Sequence, residues 1–171
     1  MTTTGFASAD FNTWPNFSKT LLLLVMFIGA CAGSTAGGFK LSRILLLFKS
    51  SYRDLEHTLQ PRKVAVVRFE GKPVQESTLA QVGVYLAIWL FLAVTGTLLL
   101  SIRQTDFVTA MTAALTCLSN VGPGLNGVGP SANFAFFSPP AKLLLSFLML
   151  AGRLEIYPIL LLFSPNVWRK N

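Results

Sequence analysis

Asp106-Phe107-Val108-Thr109-Ala110-Met111-Thr112-Ala113-Ala114-Leu115-Thr116-Cys117-Leu118, continued by Ser119-Asn120-Val121-Gly122-Pro123-Gly124, decides how this chain is organised. The first part is helix-competent and opens on an Asp whose carboxylate can cap the free amides of a first turn. It is too short to cross a hydrocarbon core of about 30 Å, which takes roughly 20 helical residues. Gly122, Pro123 and Gly124 then forbid continuation of the helix. Long apolar runs flank the segment at residues 79–102 and 139–163. The sequence therefore predicts a span, a short helix that dips into the membrane, an extended return, and a second span. Extended backbone at membrane depth survives only when buried in protein or facing a watery cavity. An interfacial helix followed by an external loop fits the same pattern.

Composition agrees with a membrane setting. Apolar residues make up 52% of the 171 residues and charged residues 12%, with a mean hydropathy of +0.57, too apolar for an ordinary soluble domain. A third apolar stretch, residues 16–48, is interrupted by Gly29-Ala30-Cys31-Ala32-Gly33-Ser34-Thr35-Ala36-Gly37-Gly38, which predicts a broken span with an intramembrane loop at 30–38. Thr2, Thr3 and Thr4 open the chain with no basic-then-apolar signal peptide, so insertion is expected to rest on the spans themselves.

Where the charge lies says more than its sum of +7. Eight of the fourteen basic residues fall between Lys40 and Lys72, and Arg169 and Lys170 mark the C-terminus. The positive-inside rule places the connection 49–78 and the tail 164–171 in the cytoplasm, and Ser101 to Asp106 outside. No basic helix or aromatic platform accompanies the charge, which excludes a nucleic-acid partner. Cys31 and Cys117 sit in apolar segments and read as small packing residues. His57, the only histidine, stands apart from any cysteine or acidic cluster at metal-ligand spacing. With no histidine at membrane depth to activate the serines, threonines and cysteines there, an intramembrane enzyme is not expected.

Part of one unit occurs twice. Thr3-Thr4-Gly5-Phe6 precedes Trp14-Pro15 and an apolar run through Met26 to Gly29; Asn120-Val121-Gly122-Pro123 precedes Ser138-Pro139 and a run through Met149 to Gly152. Internal repeats are a regular feature of transporters and channels, whose sites lie between the repeats. A cation entering a membrane needs fixed oxygens in place of its water shell, and backbone carbonyls supply them where glycine lets successive carbonyls turn to one axis. Gly5 and Gly122 are the candidates, with Thr3, Thr4, Asn120 and Val121 before them. The negative C-terminal end of the short helix, near Leu118, would favour a cation at the same place.

These strings carry a family resemblance. Thr2-Thr3-Thr4-Gly5-Phe6, Asp10-Phe11-Asn12-Thr13-Trp14-Pro15 and the glycine-rich run through Phe39-Lys40 resemble the third repeat of the Trk/Ktr/HKT superfamily of potassium transporters. Ser119-Asn120-Val121-Gly122-Pro123-Gly124, Val128-Gly129-Pro130 and Gly152-Arg153-Leu154-Glu155 resemble the fourth. The resemblance implies an all-α polytopic protein of the potassium-channel type, with span, pore-loop, span repeats around one pore. It implies potassium as substrate, no cofactor, and selectivity-filter positions at Thr3, Thr4, Gly5, Asn120, Val121 and Gly122. It further implies a gate in the broken span at Gly33, Ser34, Thr35, Gly37 and Gly38, faced by Arg153. The implied partners are the preceding repeats of the same subunit, a second copy in a homodimer, and soluble nucleotide-binding regulatory subunits at the cytoplasmic face of a bacterial inner membrane. From the residues alone, the glycine-rich break could equally be a kink that admits a neighbouring helix. Arg153, half-way along the last span, must face protein or pore, because a charge there costs at least a few kcal/mol unless paired or hydrated. It could serve as a structural clamp as well as a barrier. A non-conducting membrane adaptor with the same fold is the alternative reading of the whole.

In the connection 49–78, Val64-Ala65-Val66-Val67-Arg68-Phe69 followed by Glu70-Gly71-Lys72-Pro73 predicts a hairpin. A solvated loop beside anionic lipid accounts for the same charges.

Overall fold

The structure, a computed structural model, describes residues 4–29, 38–60, 66–69, 71–103 and 106–153. Five helices dominate: α1 (Asn16–Ile28), α2 (Leu41–Leu59), α3 (Glu76–Ser101), α4 (Phe107–Ser119) and α5 (Pro139–Arg153). One two-residue hairpin, β1 (Arg68–Phe69) with β2 (Lys72–Pro73), turns through Gly71 at φ +79°. It falls where the sequence predicts one.

Among the described residues α3 alone is long and apolar enough to cross a membrane. Its 26 residues reach about 39 Å at 1.5 Å per residue. The helix begins at Glu76 rather than at residue 79, because Glu76, Ser77 and Thr78 form a polar first turn in which the acidic Glu76 suits the positive helix end. The described part of α5 stops at Arg153, so the remainder of the expected span 139–163 and the tail 164–171 lie outside the described residues.

The expected break in the first span is present. α1 ends at Gly29 (φ +72°), whose N–H donates to the Val25 carbonyl at 3.1 Å, and the described chain resumes at Gly38 (φ +89°). A Cβ on Gly38 would stand 2.9 Å from the Gly29 Cα, so the two ends of the break touch. Aromatic rings fasten both ends to α3. Phe27 meets Trp89 edge-on at 4.9 Å, Phe39 lies 5.8 Å from Tyr85, and the Arg43 guanidinium sits 4.1 Å above the Tyr85 ring.

α2 runs to Leu59, beyond the boundary at 48 that hydropathy alone suggests. Hydropathy marks where apolar residues end, whereas residues 49–59 contain no glycine or proline and continue the helix as a polar rod. It stops at Gln60, which precedes Pro61 and is driven out of helical φ/ψ. Lys49 Nζ donates to the Arg68 carbonyl at 3.0 Å, and Arg53 pairs with Glu76, tying this rod to the hairpin and to the start of α3.

The core lies where α4 is sandwiched between α3 and α5. Ala110, Ala113, Ala114 and Leu118 are wholly buried, with Trp89, Leu100, Leu145 and Leu148 around them. Small residues set the spacing: a Cβ on Gly96 of α3 would fall 2.8 Å from Leu148 Cδ1 and 3.5 Å from the Ala114 methyl.

Candidate functional site

The two glycine-centred segments meet. Gly5 (φ +82°) and Gly122 (φ +108°) both adopt backbone that L side chains avoid. A Cβ on Gly122 would stand 3.6 Å from the Gly5 Cα, and one on Gly5 would press to 2.8 Å against the Val121 carbonyl oxygen. Thr4, Gly5, Val121 and Pro123, with Leu22 and Met26 of α1, line one pocket of about 220 Å³. The structure thus brings together Thr4, Gly5, Val121 and Gly122 and sets Asn120 at the foot of the second segment. Thr3 lies outside the described residues.

The second segment is held from behind by α4. Asp106 caps the helix by accepting from Val108 N and Thr109 N, each at 3.2 Å. Asn120 ends it in the left-handed conformation (φ 54°, ψ 43°), the geometry that asparagine tolerates at a helix terminus. Its side-chain amide donates to the Met149 carbonyl at 3.1 Å, fixing the turn to α5. Val121 N donates to the Thr116 carbonyl at 3.0 Å.

Three threonines on one face of α4 hold the irregular segment that follows, which ends in a 3₁₀ turn at Asn126–Val128. Thr116 Oγ1 donates to the Pro123 carbonyl at 3.2 Å; Thr112 Oγ1 accepts from Leu125 N at 3.2 Å and donates to the Val108 carbonyl at 2.8 Å; Thr109 Oγ1 accepts from Gly127 N at 3.1 Å. Thr112 and Thr116 are fully buried, so an extended segment with no sheet partner finds its hydrogen bonds on a helix. The sequence reading passed over these residues. Their signal is threonine recurring at helical spacing within an otherwise alanine-rich helix.

The two units are alike in detail. Each has a one-turn 3₁₀ helix shortly before its next helix, Phe11–Thr13 and Phe134–Phe136, capped by Asp10 on Asn12 N and by Asn133 on Ala135 N; the second unit carries an additional 3₁₀ turn, Asn126–Val128, after its glycine. Each then enters a helix, α1 or α5, after the same number of residues. The internal repetition expected from the sequence is therefore a repetition of local structure. The loops also join: Asn12 Nδ2 donates to the Asn126 carbonyl at 3.1 Å, Asn126 N donates to Asn12 Oδ1 at 2.9 Å, and Ser131 Oγ donates to Asp10 Oδ2 at 2.9 Å.

Asp106 links this network to α4. The Thr109 hydroxyl, then the Asn126 side-chain amide, hold its carboxyl below the usual carboxylate range, against the opposing effect of burial and with the helix amides assisting. A carboxylate lowered in this way stabilises fully above its unfolded value of about 4 and ceases to do so as pH falls through the lower folded value. Thermal unfolding of the purified protein is expected to shift downward as pH drops below about 4, with Asp106→Asn flattening that dependence.

Of the other expected site residues, Gly38 is buried against Gly29, and Arg153 closes the described part of α5 with an exposed side chain. Gly33, Ser34, Thr35 and Gly37 lie outside the described residues.

Comparison with known proteins places this arrangement. The family model described as "TrkH: Cation transport protein" matches residues 1–170. The Trk system potassium uptake protein TrkH of Salmonella typhimurium is 38% identical over 169 residues, covering 99% of this chain and 35% of its own length. Trk system potassium uptake protein TrkG of Escherichia coli is 35% identical over 169 residues, covering 99% of this chain and 34% of its own length. The crystal structure of the potassium transporter TrkH from Vibrio parahaemolyticus aligns with a TM-score of 0.86 at 38% identity, over 98% of this chain and 36% of that one. The chain thus spans about a third of the length of these relatives, which are membrane transporters and not enzymes. With its mostly helical architecture, its paired glycine turns and a match over nearly every residue, the chain belongs to the TrkH cation transport protein family.

Proposed function

We propose that this chain forms part of the pore-forming subunit of a Trk-type potassium uptake system, a multi-pass protein of the bacterial inner membrane with potassium as its substrate. In this reading Thr3, Thr4 and Gly5, with Asn120, Val121 and Gly122, contribute two segments of the selectivity filter. The observation that carries it is the meeting of Gly5 and Gly122, each at positive φ, one from each of two like units. Backbone so turned frees carbonyls from helix and sheet and leaves them available to replace a cation's water shell. The negative end of α4 points to the same region.

The break between α1 and α2 supplies the gate, through Gly33, Ser34, Thr35, Gly37 and Gly38 with Arg153 as a charge barrier. The other segments of the filter come from preceding repeats of the same subunit. A second copy and soluble nucleotide-binding subunits complete the assembly, the latter docking near the polar end of α2 and its hairpin.

Potassium-limited growth and rubidium uptake, in a bacterial strain lacking its own uptake systems, test this reading. The chain alone is compared with the chain extended upstream by its native reading frame. Rescue by the extended form only is the expected result. Rescue by the short chain would mean a pore built from copies of it, and failure of both would favour the non-conducting adaptor.

A further inference from the structure

Resting on the reading above, we propose that Asn12 is a positioning residue for cation selection: its two-way hydrogen bond to the Asn126 backbone sets the separation of the two filter segments. The two segments are held in different ways. The segment around Gly122 is backed by Asn120, Thr112 and Thr116. The stretch between Gly5 and Asp10 belongs to no helix or strand, and Phe6 is 95% exposed. Asn12 bonds the first unit to the second through its side chain, and Asp10 accepts from Ser131 beside it.

Asn12 suits that task chemically. A carboxamide carries an acceptor and a donor on one short, rigid stem, so it closes on both the N–H and the C=O of a single residue. Asn126 presents both by standing in the left-handed conformation at φ 52°. Its side chain in turn donates to Asp106 at 3.0 Å, so Asn12 grips a residue already anchored to α4. An independent feature shows the loop shaped around this amide: a Cβ on Gly129 would fall 2.1 Å from Asn12 Nδ2.

Consequences for selection follow from how tightly the segments meet. Because Gly5 already lies against the Val121 carbonyl, any drift of one loop past the other alters the spacing of carbonyls that face the ion. That spacing, with the field of the carbonyls, decides which cation is preferred. Folding does not hang on Asn12, because it lies in the short 3₁₀ helix Phe11–Thr13, outside the α3, α4 and α5 core.

The test uses the full-length protein in membranes, measuring rubidium uptake in competition with sodium. Asn12→Ala is expected to lower the rubidium-over-sodium preference by roughly fivefold, while maximal uptake stays within about twofold of wild type. Asn12→Asp, which keeps the acceptor and loses the donor, falls between. Gly129→Ala, which displaces the amide without changing it, lowers the preference as Asn12→Ala does. Asn133→Ala, which removes the cap of the second unit's 3₁₀ helix and touches no bond between the units, leaves the preference unaltered. Should Asn12→Ala fail to reach the membrane, Asn12→Asp and Gly129→Ala decide. Wild-type preference in the Asn12 and Gly129 variants overturns the proposal alone, whereas a wild-type protein that moves no monovalent cation removes the reading beneath it as well.

Discussion

Gly5→Ala, made in the full-length protein, is expected to cut rubidium uptake by about a hundredfold, and Gly5→Asp to abolish it. Two effects add. At φ +82° any Cβ is strained by roughly 1–2 kcal/mol. That Cβ would also stand 2.8 Å from the Val121 carbonyl oxygen, closer than real side chains come, and the atom that must give way is backbone. The displaced carbonyl is one proposed to face the ion. Gly122→Ala should be milder: its φ of +108° is equally unsuited to a side chain, but the nearest atom, Gly5 Cα, is at an ordinary 3.6 Å. Gly122→Asp is still expected to be inactive, since it sets a carboxylate among the carbonyls proposed to form the filter. Uptake assays at matched membrane abundance check the series, and normal flux through Gly5→Asp would take Gly5 out of the filter.

The contrast between the two glycines was not legible in the sequence. Gly5 and Gly122 can be picked out as conformationally special because they stand at corresponding points of two like units. Which of them is crowded depends on contacts between residues more than a hundred positions apart. The short helix and its Asp106 cap are local features, and local features read well; its end does not fall at the Gly122-Pro123-Gly124 run but at Asn120, two residues earlier, where the left-handed turn is fastened to α5. The extent of α2 did not, because hydropathy reports where apolar residues end and a helix can continue as a polar rod. The threonine face of α4 is visible as a periodicity, but its purpose appears only when the irregular segment from Pro123 to Gly127 is laid along it. Asn12 and Asn126 gave no signal, since a pair of asparagines in separate loops has no pattern until the chain folds.

The same argument from close approach gives the largest expected effect on stability, at Gly152→Ala. This glycine lies in α5 where it crosses the end of α4, and a Cβ there would sit 1.8 Å from the Leu118 carbonyl oxygen and 2.8 Å from its carbonyl carbon. No rotamer relieves a clash between a Cβ and backbone. α5 must therefore slide or tilt away from α4, opening the contact among Leu118, Leu145 and Leu148, at a cost of about 3 kcal/mol, the upper end for overpacking. Movement of α5 also carries off the Met149 carbonyl that receives the Asn120 side chain, and Asn120 is the residue that turns the chain into its proposed filter segment. Gly152→Ala should thus lower the melting temperature of the purified full-length protein by several degrees, on the order of 5 °C, and depress uptake with it. Gly83→Ala is the matched comparison. Gly83 lies within α3 with nothing inside 4 Å of its Cβ position, so alanine there should be neutral or stabilise by up to about 1 kcal/mol through helix propensity. A Gly152→Ala protein that melts and transports like Gly83→Ala would mean that α5 stands farther from α4, and that the seat of Asn120 is set by α4 alone.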